Sequence, residues 1–194
     1  MPPTRGTQAV PPRLPRGTRR VLVAGSSGAG KTTLARALAV ALDVQHVELD
    51  ALFHGPGWVP RPQFADDVAA MLAGGRWVTE YQYPEVQTLL LSQAQAVVWL
   101  DHTFPLVATR LLRRSVLRAV TRRPLYNGNV ERAATWVRAS HPLRVVLSRQ
   151  FLATRRRNEL AFAAAATQGV LVIRLRGARA ARQWLAEQAR TLGS

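Results

Sequence analysis

Apolar positions along the chain fall into two alternating rhythms. Short runs that are apolar throughout are followed by longer stretches in which apolar residues recur every three or four positions. Val21-Leu22-Val23-Ala24 is such a run, ends in glycines, and gives way to Lys31 to Leu42, where Leu34, Leu38 and Leu42 repeat at helical spacing. The pattern predicts a strand, a loop and a helix. A second strand is expected over His46 to Leu49, ending at Asp50. Pro60 and Pro62 then lead into a helix over Gln63 to Leu72, closed by Gly74-Gly75. Trp77-Val78-Thr79 reads as a third strand ending at Glu80, Pro84 to Ser92 as a helix, and Ala96 to Leu100 as a fourth strand ending at Asp101. Helical periodicity resumes from Phe104 to about Val120, breaks around Pro124 to Gly128, and returns over Pro142 to Ala166. Val170 to Ile173 is the last strand and Ala178 to Thr191 the last helix. Strands apolar along their whole length and alternating with helices call for an α/β fold, a parallel sheet covered by helices on both faces.

Where the first strand meets the first helix, Gly25-Ser26-Ser27-Gly28-Ala29-Gly30-Lys31-Thr32 forms a complete phosphate-binding loop. Its glycines allow backbone N–H groups to approach phosphate oxygens closely, and the helix that opens there turns its positive end toward the same anion. Lys31 would reach the β and γ phosphates of ATP, and the Thr32 hydroxyl is placed to ligate Mg2+, with Thr33 beside it. In open parallel sheets the site lies beyond the carboxyl ends of the strands, so Asp50, Glu80 and Asp101 are all expected to face the nucleotide. Asp50 and Glu80 would orient an acceptor hydroxyl or coordinate Mg2+. Asp101 is a candidate metal ligand and, equally, a candidate cap for the helix that follows.

Charge adds a further constraint. The formal net charge is +16, from 27 basic and 11 acidic residues, so natural partners are polyanions. Lys31 is the only lysine, the compact ammonium at the one place where a flexible point charge must reach between phosphates. Arg110, Arg114, Arg118 and Arg122 recur every four residues with Arg113 beside them, either a solvated stripe or a lid that closes over a nucleotide. The Arg155-Arg156-Arg157 run either completes the lid or forms an external nucleic-acid patch, and since three consecutive residues cannot all face one pocket, one or two at most can serve it; whether Arg149 enters the site is open. Residues 1–19, rich in proline and arginine, read as a mobile tail, either without a role or in contact with nucleic acid. Residues 20–194 read as one domain, with a lid over about 104–160.

With 47% hydrophobic and 20% charged residues the chain belongs with globular proteins. The absence of cysteine excludes disulfides and thiolate metal sites. Apolar runs such as Ala94 to Leu100 are far shorter than the ~20 residues a bilayer requires, and Met1 to Arg20 lacks the apolar stretch of a signal peptide, so the cytoplasm is the expected compartment.

Taken together, the loop, Leu49-Asp50-Ala51-Leu52-Phe53 with Gly57-Trp58, Trp77-Val78, Val98-Trp99-Leu100-Asp101, Arg110-Leu111-Leu112-Arg113-Arg114 and Asn127-Gly128-Asn129 with Glu131 resemble one family. It is that of the adenylate-kinase-like P-loop proteins often called DNA topology modulation proteins, in the nucleoside monophosphate kinase group. The resemblance runs from about Arg20 to Leu185. It implies a three-layer P-loop NTPase fold with a five-stranded sheet in the order 2-3-1-4-5. It also implies that Arg110 and Arg114 are lid arginines near the adenine and phosphates, and that Arg176-Gly177 holds the adenine. Where such proteins more often carry Asp-Gly-Asn-Tyr, this chain has Glu80-Tyr81-Gln82-Tyr83. The expected function is that of an ATP-dependent kinase acting on a small molecule or a nucleoside monophosphate. A nucleic-acid-associated ATPase or regulator is the alternative.

Overall fold

A computed structural model of the chain describes residues 11–121, 127 and 150–192, with the side chains of 118, 119, 150 and 192 outside that description. Its elements are β1 (Arg20–Gly25), α1 (Lys31–Leu42), β2 (Gln45–Val47), α2 (Leu49–Phe53), α3 (Phe64–Ala73), β3 (Trp77–Glu80), α4 (Pro84–Gln93), β4 (Ala96–Leu100), α5 (Phe104–Thr121), α6 (Gln150–Thr167), β5 (Leu171–Leu175) and α7 (Ala178–Leu192). The five strands form one parallel sheet in the order β2-β3-β1-β4-β5, the order expected.

Side-chain alternation along the central strands divides the core into two layers. Val21 and Val23 face one side with Val98 and Leu100, and pack on Leu34, Ala35 and Leu38 of α1 and Trp184 of α7. Leu22 and Ala24 face the other with Val97 and Trp99, against Phe64, Val68 and Leu72 of α3, Val86 and Leu90 of α4, and Phe162 of α6. Every residue of β4 is buried because helices cover both faces there. A small third cluster, Val107 and Leu111 of α5 with Phe151 of α6, joins the two arginine-bearing helices.

Two expectations differ from the structure. The second strand stops at Val47 and does not run on to Leu49 and Asp50, which belong to α2. Gln45, His46 and Val47 pair with Trp77, Val78 and Thr79, and the Thr79 hydroxyl donates to the Val47 carbonyl at the point where the ladder ends (2.7 Å). Beyond it, burial of Leu49 among Phe64, Val68 and Leu72 outweighs the alternating sequence pattern, and the chain turns into a helix. Asp50 therefore enters the site from a helix.

The proline-rich segment is the second difference. Within residues 11–19, assigned to a tail, Pro12 to Leu14 lie against α7. Leu14 is buried and donates its N–H to Gln188 Oε1 (2.8 Å), and the Trp184 indole donates to the Pro12 carbonyl (2.9 Å). A single apolar residue flanked by backbone groups that find buried partners suffices, and composition does not reveal it. Residues 1–10 lie outside the described residues, as do Arg122, Arg149, the turn from Pro124 to Glu131 apart from Asn127, and the beginning of the helix expected from Pro142. Among the described residues, no helix is long and apolar enough to cross a membrane.

Candidate functional site

The loop leaves β1 at Gly25, a residue opposite Leu100 of β4, and re-enters regular structure at Lys31. Gly28 (φ 86°) and Gly30 (φ 98°) adopt the left-handed conformation that glycine accepts freely. Gly28 is also crowded: a Cβ there would stand 2.9 Å from the Val107 carbonyl oxygen and 3.0 Å from the Leu111 Cβ. Helix α5 thus rests directly on the loop, and its Arg110 donates from Nη1 to the Ala29 carbonyl (3.3 Å). Arg114 is half-buried one turn further along, while Arg113 faces solvent. Ser26 accepts the Ala29 N–H on its carbonyl (3.0 Å), closing the turn that carries Ser27 and Gly28. Thr33 is exposed at the start of α1.

Glu80 ends β3, whose register sets it beside Val23 of β1, so the sheet itself delivers its carboxylate to the loop. Thr32 Oγ1 donates to Glu80 Oε1 (2.6 Å) and Lys31 Nζ lies 3.7 Å from Glu80 Oε2. Both members of the ion pair are largely enclosed, with 10% and 7% of the side chain exposed. A hydroxyl and a carboxylate in contact, next to backbone amides shaped for phosphate, make the hard-oxygen donor set that Mg2+ takes alongside nucleotide phosphates.

Asp50 and the residues after Glu80 form the adjoining corner. Asp50 Oδ1 accepts from Gln82 Nε2 (2.8 Å) and from the Tyr83 hydroxyl (2.6 Å), whose oxygen is 3.3 Å from His54 Nε2. Tyr83 stacks on Phe53 at 4.2 Å between ring centroids, and Phe64, His54 and Trp58 pack edge-on around them. Asn127 donates to the His54 carbonyl. Tyr81 points elsewhere, into the core against Phe162. Burial lowers the pKa of His54, against the opposing pull of Asp50 and of a backbone hydrogen bond at Trp58, so the ring is neutral at pH 7.

Asp101, a candidate metal ligand by sequence, is enclosed by cations. Its carboxylate, 2% exposed, accepts Nε and Nη2 of Arg155 (2.6 and 2.9 Å) and Nε of Arg174 (2.9 Å), with Arg176 Nε at 3.6 Å. Burial raises its pKa, but the hydrogen bonds and charges of Arg155 and Arg174 outweigh burial and hold the carboxyl below the ordinary aspartate range. Both oxygens of the Asp101 carboxylate are thus turned to guanidinium groups, whereas Glu80 keeps its carboxylate against Thr32 and Lys31. Arg176 lies at the end of β5, more than half exposed, with Arg174 stacked on Trp99 at 4.2 Å.

Sequence reasoning placed Lys31, Thr32, Glu80 and Arg110, which the structure brings together, and Asp50, which adjoins them. It missed Gln82 and Tyr83 as partners of Asp50, because two residues after a strand end carry no periodic signal. It also missed His102, which is buried and close enough to Arg110 and the Ala29 backbone to feel both. Burial and then the Arg110 charge lower the His102 pKa, with Asp101 and the Ala29 bond opposing.

No protein-family model matches the chain, and no curated protein matches it. Among solved structures, it is similar to a gluconokinase from Sinorhizobium meliloti, 19% identical over 92% of this chain and 98% of that chain, with a TM-score of 0.48. A shikimate kinase from Bacteroides thetaiotaomicron is 17% identical over 92% and 100% of the two chains, with a TM-score of 0.44. A sugar kinase from a Janibacter species is 19% identical over 90% and 91%, with a TM-score of 0.40. By its own sheet order and its Gly25 to Thr32 loop, the chain is a five-stranded parallel α/β protein of the P-loop type.

Proposed function

We propose that this protein is a MgATP-dependent kinase that phosphorylates a hydroxyl group of a small molecule. The contact that carries the reading is the one between the loop and Glu80. Thr32 and Lys31 engage the two oxygens of a carboxylate that sits two residues before Gln82, itself bonded to Asp50. A phosphate cradle and a hydroxyl-orienting corner are therefore joined through one strand end, as phosphoryl transfer between two bound molecules requires.

The roles follow from position. Loop amides and Lys31 bind the β and γ phosphates, Arg110 covers the loop from α5, and Thr32 with Glu80 would hold Mg2+. Bound there, the ion would neutralise charge on the phosphates. Arg176, with Gly177, is suited to flank the base, and Arg114 to reach the phosphates from the same helix as Arg110. Asp50 orients the acceptor hydroxyl. The acceptor oxygen forms a bond to the γ phosphorus, the bond from that phosphorus to the β,γ-bridging oxygen breaks to leave ADP, and the hydroxyl proton passes to Asp50. The resemblance to the nucleoside monophosphate kinase group supports the same chemistry and names one class of acceptor.

The test is formation of ADP from MgATP that depends on an added hydroxylated small molecule. Acceptor-dependent turnover supports the reading. Tight ATP binding with no acceptor-dependent ADP from a broad panel of nucleoside monophosphates, polyols and hydroxy acids would contradict it.

A further inference from the structure

We propose that the corner made by Asp50, His54, Trp58 and Tyr83 selects an acceptor that is a hydroxylated ring without phosphate or carboxylate, either uncharged or amine-bearing; this rests on the kinase reading above. Strain marks the corner first. Among the described residues four non-glycine residues have left-handed backbones, and three of them border this site: Trp58 (φ 64°), Tyr83 (φ 61°) and Asn127 (φ 52°). Bulky aromatic residues avoid that region, so two of them held there indicate that the positions of these rings matter more than local comfort.

The rings are placed by separate devices. Residues 54–61 close on themselves through Gly55 N–H to the Val59 carbonyl (2.7 Å), Arg61 N–H to the Phe53 carbonyl (2.8 Å) and a bridge between His54 and Pro60. That loop sets the Trp58 indole edge-on to His54 at 5.0 Å. Tyr83 is fixed by stacking on Phe53 while its hydroxyl engages Asp50. Phe53, His54, Trp58 and Tyr83 all remain half-exposed, so apolar ring surface stands open beside a carboxylate. Asp50 Oδ1 is held by Gln82 and Tyr83, and Oδ2 has no hydrogen-bond partner among the described residues. Ring faces for C–H surface and a fixed carboxylate oxygen for hydroxyl or ammonium donors suit a polyol or aminopolyol ring.

Charge argues against an anionic acceptor. A phosphate or carboxylate brought here would stand near Asp50 and Glu80, and like charges in a half-buried site repel. Of the described basic side chains bordering this corner, Arg61 pairs with Asp67 (2.9 Å) and donates to the Leu52 carbonyl, and Lys31 pairs with Glu80.

The experiment measures acceptor-dependent ADP formation by the full-length protein with three sets of compounds. These are neutral ring polyols (hexoses and inositols), amine-bearing ring polyols (aminohexoses and aminocyclitols), and anionic acceptors (nucleoside monophosphates and sugar acids). Turnover with the first or second set is expected. Turnover confined to the anionic set would leave the kinase reading standing and overturn this one, and turnover with none would remove both. The Asp50→Asn variant separates ligand from support. It should raise KM for an amine-bearing ring by about tenfold more than for its neutral analogue, the loss of one charged hydrogen bond. An equal rise for both would mean that Asp50 only positions Tyr83, and would overturn its role in selection.

Discussion

Glu80 joins the loop to the strand end that leads to Gln82 and Asp50, and its surroundings dictate how substitutions should behave. Its carboxylate accepts from Thr32 and faces Lys31 in an enclosed site. Glu80→Gln should therefore weaken the Mg2+ dependence of ATP-analogue binding while leaving metal-free binding in place, read by calorimetric titration with and without Mg2+. An unchanged ratio of the two affinities would exclude Glu80 from the metal's surroundings. Asp101 should act on stability instead. Asp101→Asn leaves Arg155 and Arg174 converging without their counter-charge, at a cost of about 1–3 kcal/mol, below the value for a wholly buried pair because both arginines are partly exposed. Urea unfolding measures it, and a loss under about 0.5 kcal/mol would mean that water replaces the carboxylate. Because the folded pKa of Asp101 is depressed, its contribution is complete above the ordinary aspartate range and disappears as pH falls through the lowered folded value. In the variant that acid limb flattens. The sequence marked Asp101 as a strand-end acid, but its partners come from α6 and β5, more than 50 residues away. Contacts of that range leave no local pattern.

At the scale of elements, the meeting of α5 with the loop is the tightest constraint on the site. Gly28→Ala introduces a Cβ into the space below Val107 and Leu111 and forces an unfavourable φ, so stability should fall by about 1–3 kcal/mol and ATP affinity with it. Calorimetric melting and nucleotide titration read the two effects. Normal affinity in a destabilised protein would show that α5 can move off the loop without consequence for binding. Leu111 is fully buried in the small cluster with Val107 and Phe151, and Leu111→Ala should cost about 2–5 kcal/mol. The strands and helices were legible because their apolar periods differ, two-sided runs against a four-residue repeat. The exception is instructive. His46-Val47-Glu48-Leu49 alternates like a strand, yet its last two residues have no pairing partner in the β3 register, and the apolar pocket beneath α3 draws Leu49 into a helix.

For the whole molecule, titration of histidines sets the response to mild acid. His46, His54 and His102 are each held below their ordinary pKa of 6.5, with burial the leading cause in all three. The unfolded chain then binds protons that the folded one refuses, so stability is greatest above about pH 6.5 and falls as pH drops below it. Melting temperature followed from pH 8 to pH 5 should decline in that window, and a flat profile would mean that the rings protonate in place. The packing of Pro12 to Leu14 on α7 makes a second prediction at this scale. Leu14→Ala should lower stability by about 2–4 kcal/mol despite its place in a proline-rich segment, whereas an unstructured tail would make it neutral.

The central claim, that loop, Glu80 and Asp50 form one phosphoryl-transfer site, is tested most directly by following label. The protein is incubated with Mg2+, γ-labelled ATP and a small-molecule extract, and the label is traced by chromatography. The account predicts label on a small-molecule acceptor with the wild type, and a fall of about a hundredfold or more with Lys31→Ala. Label recovered only as inorganic phosphate, from a protein that binds ATP, would contradict it.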